Sequence, residues 1–362
     1  MTPLAERLAA IIRANGPISV ADYMGACLGD PDYGYYFTHM PFGAEGDFVT
    51  APEVSQLFGE LIGVWCIAAW EAMGAPDRFI LAELGPGRGT LMTDLLRVAH
   101  IRPNFRLASE IHLVETSAAL REVQARTLQA VYATPEWHDS LVTVPQGAPL
   151  LVVANEFFDA LPVHQYVRVK EGWAERRVGL DAKGELTFGL LPLGGPPGLA
   201  LAAREQAEIG AVWESGPARQ AVAAEIGARL AADGGAALIV DYGHKGPAFG
   251  DTLQAIRDHK FDPPLAHPGE ADITAHVDFA ALAEAAAAAG ARAKPLLTQG
   301  GFLRALGLAA RAERLSAGKD DATRASIAAA TERLAGPAAM GSLFKVLCIA
   351  APGLSLAPFD SA

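Results

Sequence analysis

Residues 80–90 read "ILAELGPGRGT", in which apolar residues lead through an acid into three glycines at alternate positions. Glycines at 85, 87 and 89 can adopt positive φ, and they leave no Cβ in the path of a ligand. Thr90 opens a segment with helical periodicity, whose first backbone amides face the same loop. A strand, a glycine loop and a helix in this order indicate a ligand site, although a tight strand-to-helix turn would explain the glycines as well.

Short apolar segments alternate with helical ones from residue 79 onward. This alternation predicts βαβ crossovers, and therefore an α/β fold with a doubly wound, mostly parallel sheet. The predicted helices cover 90–99, 117–129 and 217–232. The predicted strands are 79–84, 111–114, 130–133, 150–154, 236–241 and 342–350.

Three regions are additions to a minimal α/β domain. An aromatic-rich N-terminal region precedes it, a hairpin pattern with a turn at 181–184 is inserted, and a helical segment is inserted later. We therefore expect an N-terminal helical and lid region, one domain with two insertions, and a short tail. The expected bounds are 1–78 for the N-terminal region, 79–350 for the domain, 164–198 and 303–336 for the insertions, and 351–362 for the tail.

Composition limits the partners and the compartment. Half of the 362 residues are apolar, and the net charge of −12 argues against general affinity for nucleic acid or anionic membranes. The three cysteines form no CxxC pair, which is typical of a reducing compartment. No signal-peptide pattern and no 18-residue apolar span occurs, and the histidines show no metal-ligand spacing. We expect a cytoplasmic protein without membrane insertion or a bound metal.

Two common phosphate-binding motifs do not fit the glycine loop. A P-loop needs a lysine after its glycines, and none follows here. A dinucleotide fingerprint needs a small residue where Thr90 stands, and this chain places Glu83 two residues before Gly85. A nicotinamide oxidoreductase is therefore a disfavoured alternative.

The ends of the next two predicted strands carry groups suited to an adenosine. Glu115 follows Gly85 by 30 residues, against about 20 in dinucleotide folds, and its carboxylate can accept two hydrogen bonds from a ribose diol. Trp137 can stack on an adenine, and Asp139 can accept from its amino group. Glu115 as a solvated acid, Trp137 as a core residue and Asp139 as a helix cap are the structural alternatives. Because no Lys or Arg cluster is present to neutralise a pyrophosphate, the pattern favours S-adenosyl-L-methionine.

Acids follow the predicted strand 150–154. Glu156 and Asp159 could clamp a cationic guanidinium and leave one of its nitrogens facing a donor methyl, while Asn155 would lie nearer the cofactor. Alternatively, Asn155 could bind a planar amino group of another substrate, and Asp159 could simply cap a turn.

At this point the chain resembles the MidA family of class I S-adenosylmethionine-dependent methyltransferases, whose mitochondrial member is an arginine methyltransferase needed for assembly of respiratory complex I. The resemblance runs from about residue 17 to residue 350, and its most distinctive segments are "GDFVTAPE" (46–53), "AELGPGRGTL" (82–91) and "NEFFDALPV" (155–163). It implies a seven-stranded sheet with S-adenosyl-L-methionine at its edge. It also implies that a loop of Gly85, Pro86, Gly87 and Gly89 wraps the methionine part with Glu83 beneath it, that Glu115 binds the ribose, and that Trp137 and Asp139 lie by the adenine.

Two N-terminal segments, 33–37 and 46–53, are expected to fold over the cofactor as a lid, with Thr50 and Glu53 in contact with it. The tyrosines of this region could wall a substrate channel or form a docking surface. The acids after the strand 150–154 and the resemblance together predict a methyltransferase acting on a protein arginine, and the resemblance implies a complex I subunit as its candidate target. A non-catalytic assembly factor that binds an adenosyl ligand, and a methyltransferase for small molecules, are the alternatives.

Overall fold

The computed structural model describes residues 2–38 and 50–360, so the first part of the predicted lid segment 46–53 lies outside the described residues. The described residues also form 3₁₀ turns at Ala99–Ile101 and Leu141–Thr143. Their α-helices are α1 (Pro3–Asn15), α2 (Val20–Gly29), α3 (Tyr35–Thr38), α4 (Ala51–Val54), α5 (Gln56–Ala72), α6 (Thr90–Val98), α7 (Pro103–Ala108), α8 (Ala118–Gln129), α9 (Leu201–Gln206), α10 (Pro217–Asp233), α11 (Phe279–Ala288), α12 (Gln299–Ala305), α13 (Leu308–Ser316), α14 (Asp321–Ala335) and α15 (Met340–Leu343).

The strands are mostly short, and several contain only two residues. In chain order they are β1 (Ile18–Ser19), β2 (Phe79–Leu84), β3 (Ser109–Val114), β4 (Glu136–His138), β5 (Leu150–Asn155), β6 (His164–Val169), β7 (Gly172–Leu180), β8 (Leu186–Leu193), β9 (Val212–Ser215), β10 (Gly235–His244), β11 (Gln254–Arg257), β12 (Lys260–Asp262), β13 (Asp272–Thr274), β14 (Val277–Asp278), β15 (Arg292–Ala293), β16 (Leu297–Thr298) and β17 (Phe344–Ala350).

The chain divides into two compact units. The N-terminal unit consists of residues 1–48, 159–220 and 246–276, and the central-sheet unit consists of 49–158, 221–245 and 277–362. The domain bounds expected from the sequence stay predictions. None of the helices in the described part of the chain combines the length and the hydropathy needed to cross a bilayer.

The central-sheet unit is built on one path of seven strands in the order β15-β17-β10-β5-β2-β3-β4. From β10 to β4 all neighbours are parallel, whereas β17 runs antiparallel to β10. The short strands β14 and β16 lie beside this path. The predicted doubly wound, mostly parallel sheet is therefore confirmed. Its strand order reverses between β2 and β5, which is where such sheets open a crevice for a ligand.

Burial explains why the middle of this sheet was predictable. All six residues of β2 and all six of β5 are buried, as expected for strands covered by helices on both faces. The α5 helix contributes Phe58, Ile62 and Trp65 to the same core. Residues 79–82 of β2 and 150–154 of β5 therefore stand out in the sequence as continuous apolar segments.

The predicted strand 130–133 is wrong. Helix α8 continues to Gln129 and is followed by a turn in which Tyr132 has φ 51° and is 93% exposed. Helix α8 places Leu120 and Leu128 on its buried face, and this packing outweighs the β-propensity of Val131 and Tyr132. The strand that pairs with β3 begins later, at Glu136.

The N-terminal unit contains two antiparallel sheets. One has the order β1-β7-β6-β9, with β8 paired to β7, and the other has the order β12-β11-β13. The predicted hairpin turn is present, since Gly184 N donates to Asp181 O at 3.0 Å between β7 and β8. Helices α1 and α2 supply Leu8, Tyr23 and Met24 to the core of this unit.

Candidate cofactor and active site

The glycine loop after β2 has a backbone that only glycine adopts easily. Gly85, Gly87 and Gly89 have φ values of 63°, 52° and 81°. A Cβ at Gly85 would lie 2.9 Å from Phe157 Cδ2, a distance at which one of the two groups must move. Gly89 is the N-cap of α6 and donates its amide to Pro86 O at 2.7 Å. The loop is therefore a tight turn, closed by a backbone hydrogen bond, at the carboxyl end of β2.

Two buried oxygens at this edge of the sheet have no hydrogen-bond partner among the described residues. They are Glu83 Oε2 near the end of β2 and Asn155 Oδ1 at the end of β5. The two strands are neighbours, with Glu83 in register with Val153. Buried polar atoms of this kind are normally satisfied, so the pair suits a ligand with hydrogen-bond donors, from which Asn155 Oδ1 and an ionised Glu83 can accept. The ammonium group of a methionyl moiety supplies such donors, and the residues present fit the predicted cofactor.

The Glu83 carboxyl group is deeply buried. Burial raises its pKa to about 8, and a hydrogen bond from the Met92 backbone opposes this shift only in part. In the absence of a bound cation this group therefore retains its proton near neutral pH.

Glu115 follows β3 and presents its carboxylate in a fixed orientation. Its Oε1 accepts from Ser117 N at 2.9 Å, and its Oε2 accepts from Gln124 Nε2 at 3.2 Å. Burial raises the pKa of this carboxyl group above its ordinary value. Because each carboxylate oxygen can accept more than one hydrogen bond, Glu115 can also bind a diol.

The sequence pattern does not single out Gln124, yet this residue connects three parts of the site. Its side chain is fully buried, and Nε2 donates both to Gly87 O at 2.7 Å and to Glu115 Oε2. Its Oε1 accepts from Trp137 Nε1 at 2.8 Å. The available signal was a polar residue on the buried face of a helix, four positions from Leu120 and from Leu128.

Trp137 and Asp139 lie at the end of β4 in different environments. Trp137 is partly buried and packs against the core, with its indole N–H bonded to Gln124. The Asp139 side chain is 81% exposed and accepts from Arg121 Nη2 at 2.5 Å. Arg121 also donates through Nε to Glu115 O at 2.8 Å, so Asp139 is held beside Glu115.

Thr50 and Glu53 precede α5. Thr50 is buried at the start of α4 and makes no capping bond through its side chain. Glu53 Oε1 accepts from Thr90 Oγ1 at 2.6 Å, and Glu53 Oε2 lies 4.0 Å from Arg88 Nη1. Glu53 therefore contacts the glycine loop directly.

Glu156, directly after β5, has a strained backbone. Its φ of 48° is uncommon for a residue with a Cβ, and such outliers concentrate at functional sites. Its carboxylate Oε1 accepts from Ala51 N at 3.1 Å and from Asn155 Nδ2 at 3.2 Å. The conformation therefore directs a carboxylate to a fixed position beside Asn155.

Asp159 belongs to the N-terminal unit and is buried. Its carbonyl oxygen accepts from Arg219 Nη2 at 2.8 Å and from Ala275 N at 3.1 Å. In the same unit the predicted aromatic segment 33–37 leads into α3, in which Tyr35 is buried and Tyr36 Oη donates to Asp272 at 3.3 Å. Within this unit, both Asp159 and the aromatic segment are thus anchored by contacts of their own.

Comparison with known proteins identifies the family. Residues 61–296 match the family described as "Putative S-adenosyl-L-methionine-dependent methyltransferase". A Danio rerio protein named "Protein arginine methyltransferase NDUFAF7, mitochondrial" is 38% identical, with 96% of this chain and 86% of that protein covered. The Homo sapiens protein of the same name is 36% identical, with 96% and 83% covered. A Drosophila melanogaster homologue is 38% identical, with 99% and 86% covered.

Two solved structures match nearly the whole chain. A crystal structure of a Burkholderia thailandensis protein described as a "likely methyl transferase", bound to S-adenosyl-homocysteine, has a TM-score of 0.85 and 31% identity. The comparison covers 97% of this chain and 92% of that one. A native structure from the same organism has a TM-score of 0.81 and 32% identity, with the same shares covered.

The expected cytoplasmic location is wrong, because relatives that match nearly the whole chain are named as mitochondrial proteins. Three free, buried cysteines indicate a reducing compartment, and this property does not distinguish one reducing compartment from another. The expected family and cofactor are confirmed: the chain belongs to the family of S-adenosyl-L-methionine-dependent methyltransferases that its glycine loop and strand ends indicate.

Proposed function

We propose that this protein is an arginine methyltransferase that modifies a protein substrate. The observation that carries the proposal is the likeness to relatives named protein arginine methyltransferase, at 36–38% identity over most of both chains. The carboxylate of Glu156 supports it chemically, because a guanidinium is a fork of hydrogen-bond donors that pairs well with a carboxylate.

Each part of the cofactor is assigned to the residues at the end of one strand. The glycine loop wraps the methionine part, the oxygens of Glu83 and Asn155 accept from its ammonium group, and the Glu115 carboxylate accepts from the ribose. Trp137 and Asp139 lie by the adenine. Thr50 and Glu53 contact the cofactor beside the glycine loop. The complete assigned set is Thr50, Glu53, Glu83, Gly85, Pro86, Gly87, Gly89, Glu115, Trp137, Asp139 and Asn155.

Glu156 orients the acceptor. When bound, S-adenosyl-L-methionine would supply a methyl group on its sulfonium; a nucleophile attacks that carbon in line, and the neutral thioether S-adenosyl-homocysteine leaves. The Glu156 carboxylate, held by Ala51 N and Asn155 Nδ2, pairs with two guanidinium nitrogens and draws the positive charge toward them. The third nitrogen forms the new N–C bond as the S–C bond breaks, and it then releases a proton to a carboxylate or to water. Asp159 is assigned to the same substrate on its sequence position alone.

The target we propose is a subunit of respiratory complex I. The support is the resemblance to a family whose mitochondrial member serves the assembly of that complex. The formal net charge of −12 favours a basic segment as the substrate, because arginine-rich segments carry the opposite charge.

Mass spectrometry of arginine methylation tests the function. Cells that lack the protein are complemented with the wild type, with Glu156→Gln or with Glu122→Gln, which removes an exposed acid of α8. We expect methylarginine on a complex I subunit with the wild type and with Glu122→Gln, and its loss with Glu156→Gln. Binding of S-adenosyl-L-methionine to Glu156→Gln, measured by calorimetry, should stay within about threefold of the wild type.

Two results would contradict the proposal. The same methylarginine sites in cells without the protein would exclude the activity. Restored complex I in cells that carry Glu156→Gln, without any methylation, would instead favour an assembly factor that uses the adenosyl ligand structurally.

A further inference from the structure

Strands β3 and β4 bring three metal-ligating side chains together at the edge of the central sheet. His112 of β3 is in register with Glu136 of β4, and His138 follows Glu136 by two positions. Side chains alternate along a strand, so these three lie on one face of the sheet. One ligand atom of each lies within 4.8 Å of the other two.

The proton on the His138 ring can be located from its hydrogen bonds. Thr143 Oγ1 donates its single proton to Ser140 O at 2.9 Å, so it can only accept from His138 Nδ1, which lies 3.2 Å away. Nδ1 therefore carries the proton, and Nε2 of the neutral ring presents its lone pair. This is the form of a metal-binding histidine whose other nitrogen is held by a protein oxygen.

The His112 ring faces that lone pair. Its Nδ1 lies 2.9 Å from His138 Nε2 and acts as the donor between them. Glu110, on the same face of β3, is occupied by Arg78 through two contacts of 2.8 Å, whereas Glu136 is exposed.

We propose that His112, Glu136 and His138 bind a divalent transition-metal ion of the zinc type, with water as the fourth ligand. Two imidazoles and a carboxylate suit zinc or cobalt, while calcium and magnesium prefer oxygen ligands alone. Metal–nitrogen distances of about 2.0–2.1 Å in a tetrahedral site separate the two nitrogens by about 3.3 Å. The rings therefore move apart by a few tenths of an ångström, and His112 transfers its proton from Nδ1 to Nε2.

The ion would join β4 to the rest of the sheet. Strand β4 has three residues and pairs only with β3 among the described strands, while Trp137 and Asp139 lie within or beside it. A ligand that binds only the folded state stabilises that state, so metal binding should raise the melting temperature. The expectation of no metal relied on spacing along the chain, and Glu136 follows His112 by 24 positions.

Cobalt binding tests the site without reference to activity. Full-length protein, stripped with a chelator, is titrated with Co²⁺, and zinc content and melting temperature are measured after addition of Zn²⁺. We expect one ion per chain, the visible absorption of tetrahedral cobalt, and a higher melting temperature with zinc. His138→Gln and Glu136→Gln change partly or fully exposed residues and should each weaken binding at least 10-fold. Thr143→Val should weaken it by about 10-fold through the His138 ring.

Exposed histidines elsewhere provide the controls. His100→Gln and His259→Gln should bind cobalt like the wild type. Equal cobalt affinity in the wild type and His138→Gln, or a wild-type spectrum without tetrahedral absorption, would overturn the proposal. Either result would leave the methyltransferase assignment untouched, because no assigned cofactor or substrate residue is changed.

Discussion

Gln124 Nε2 donates to the carbonyl oxygen of Gly87 at 2.7 Å. This hydrogen bond connects α8, the helix after β3, to the glycine loop after β2. The same amide group also bonds to the Glu115 carboxylate and to the Trp137 indole. One fully buried side chain thus sets the mutual positions of groups at the ends of three consecutive strands. Its hydrogen bonds should contribute to cofactor affinity although Gln124 is not itself assigned to the cofactor.

Gln124→Ala should weaken binding of S-adenosyl-homocysteine by about 10-fold or more, because Gly87, Glu115 and Trp137 each lose a partner. Gln124→Glu keeps the side-chain volume but cannot donate to Gly87 O, and it should be at least as damaging. Calorimetric titration measures both affinities, and Gln129→Ala, an exposed position of the same helix, is the matched control. Equal affinities of Gln124→Ala and Gln129→Ala would show that this network does not organise the site.

Glu83 should make the stability of the free protein fall with rising pH. Its pKa is about 8 in the folded protein and near 4.5 in the unfolded chain, so the folded state holds the proton more tightly. Its contribution is fully present below about pH 4.5 and is lost as pH rises toward 8, at up to about 1.4 kcal/mol per pH unit. Urea unfolding at pH 6 and pH 8 should therefore show the wild type losing stability relative to Glu83→Gln. If the unfolding free energy changed equally between pH 6 and pH 8 in the two proteins, the proton would not belong to Glu83.

The cofactor should displace the same proton. A bound ammonium group favours the ionised carboxylate, so binding near pH 7 should release about one proton from Glu83. Calorimetry in two buffers with different ionisation enthalpies measures that release. Glu83→Gln should bind more weakly and should lack this contribution, and an unchanged proton count in the variant would place the ammonium group elsewhere.

The parts of the site that the sequence predicts are those fixed by a single segment. β2 and its loop can be recognised because residues 79–82 are continuously apolar, as expected for a strand buried on both faces, and because glycine tolerates the φ values at 85, 87 and 89. Glu115 follows from the position of the next strand. In each case local preference and the final packing agree.

The features that the sequence does not predict depend on which helices and strands pack against each other in the folded protein. Gln124 matters because α8 turns that face toward the glycine loop, and His112 meets His138 because β3 and β4 pair in one register. The error at 130–133 has the same origin, since the buried face of α8 overrides the local β-propensity. A pattern read along the chain carries no information about these pairings.

The backbone of Glu156 should be strained, because its uncommon φ holds the carboxylate in a fixed position. With φ at 48°, glycine fits this position better than alanine does. Glu156→Gly should therefore be more stable than Glu156→Ala by about 1 kcal/mol, while both lose methyl transfer. Urea unfolding and a methylation assay measure the two effects. Equal stability of the two variants would show that the conformation carries no strain, and activity in either variant would remove Glu156 from the acceptor site.

Arg311 should hold helix α13 against α5 through an ion pair with the buried Glu60 carboxylate. Arg311 Nε lies 2.7 Å from Glu60 Oε2 and Nη2 lies 2.9 Å from Oε1, while Glu60 is only 3% exposed. Arg311→Ala leaves that carboxylate without its cation and should lower the free energy of unfolding by about 3 kcal/mol. The double variant Arg311→Leu/Glu60→Leu removes both charges and should lose less than the single one. Arg314→Ala, an exposed position of α13, should change stability by under about 0.5 kcal/mol in the same urea titration. A single variant as stable as Arg314→Ala would mean that solvent, rather than Arg311, compensates Glu60.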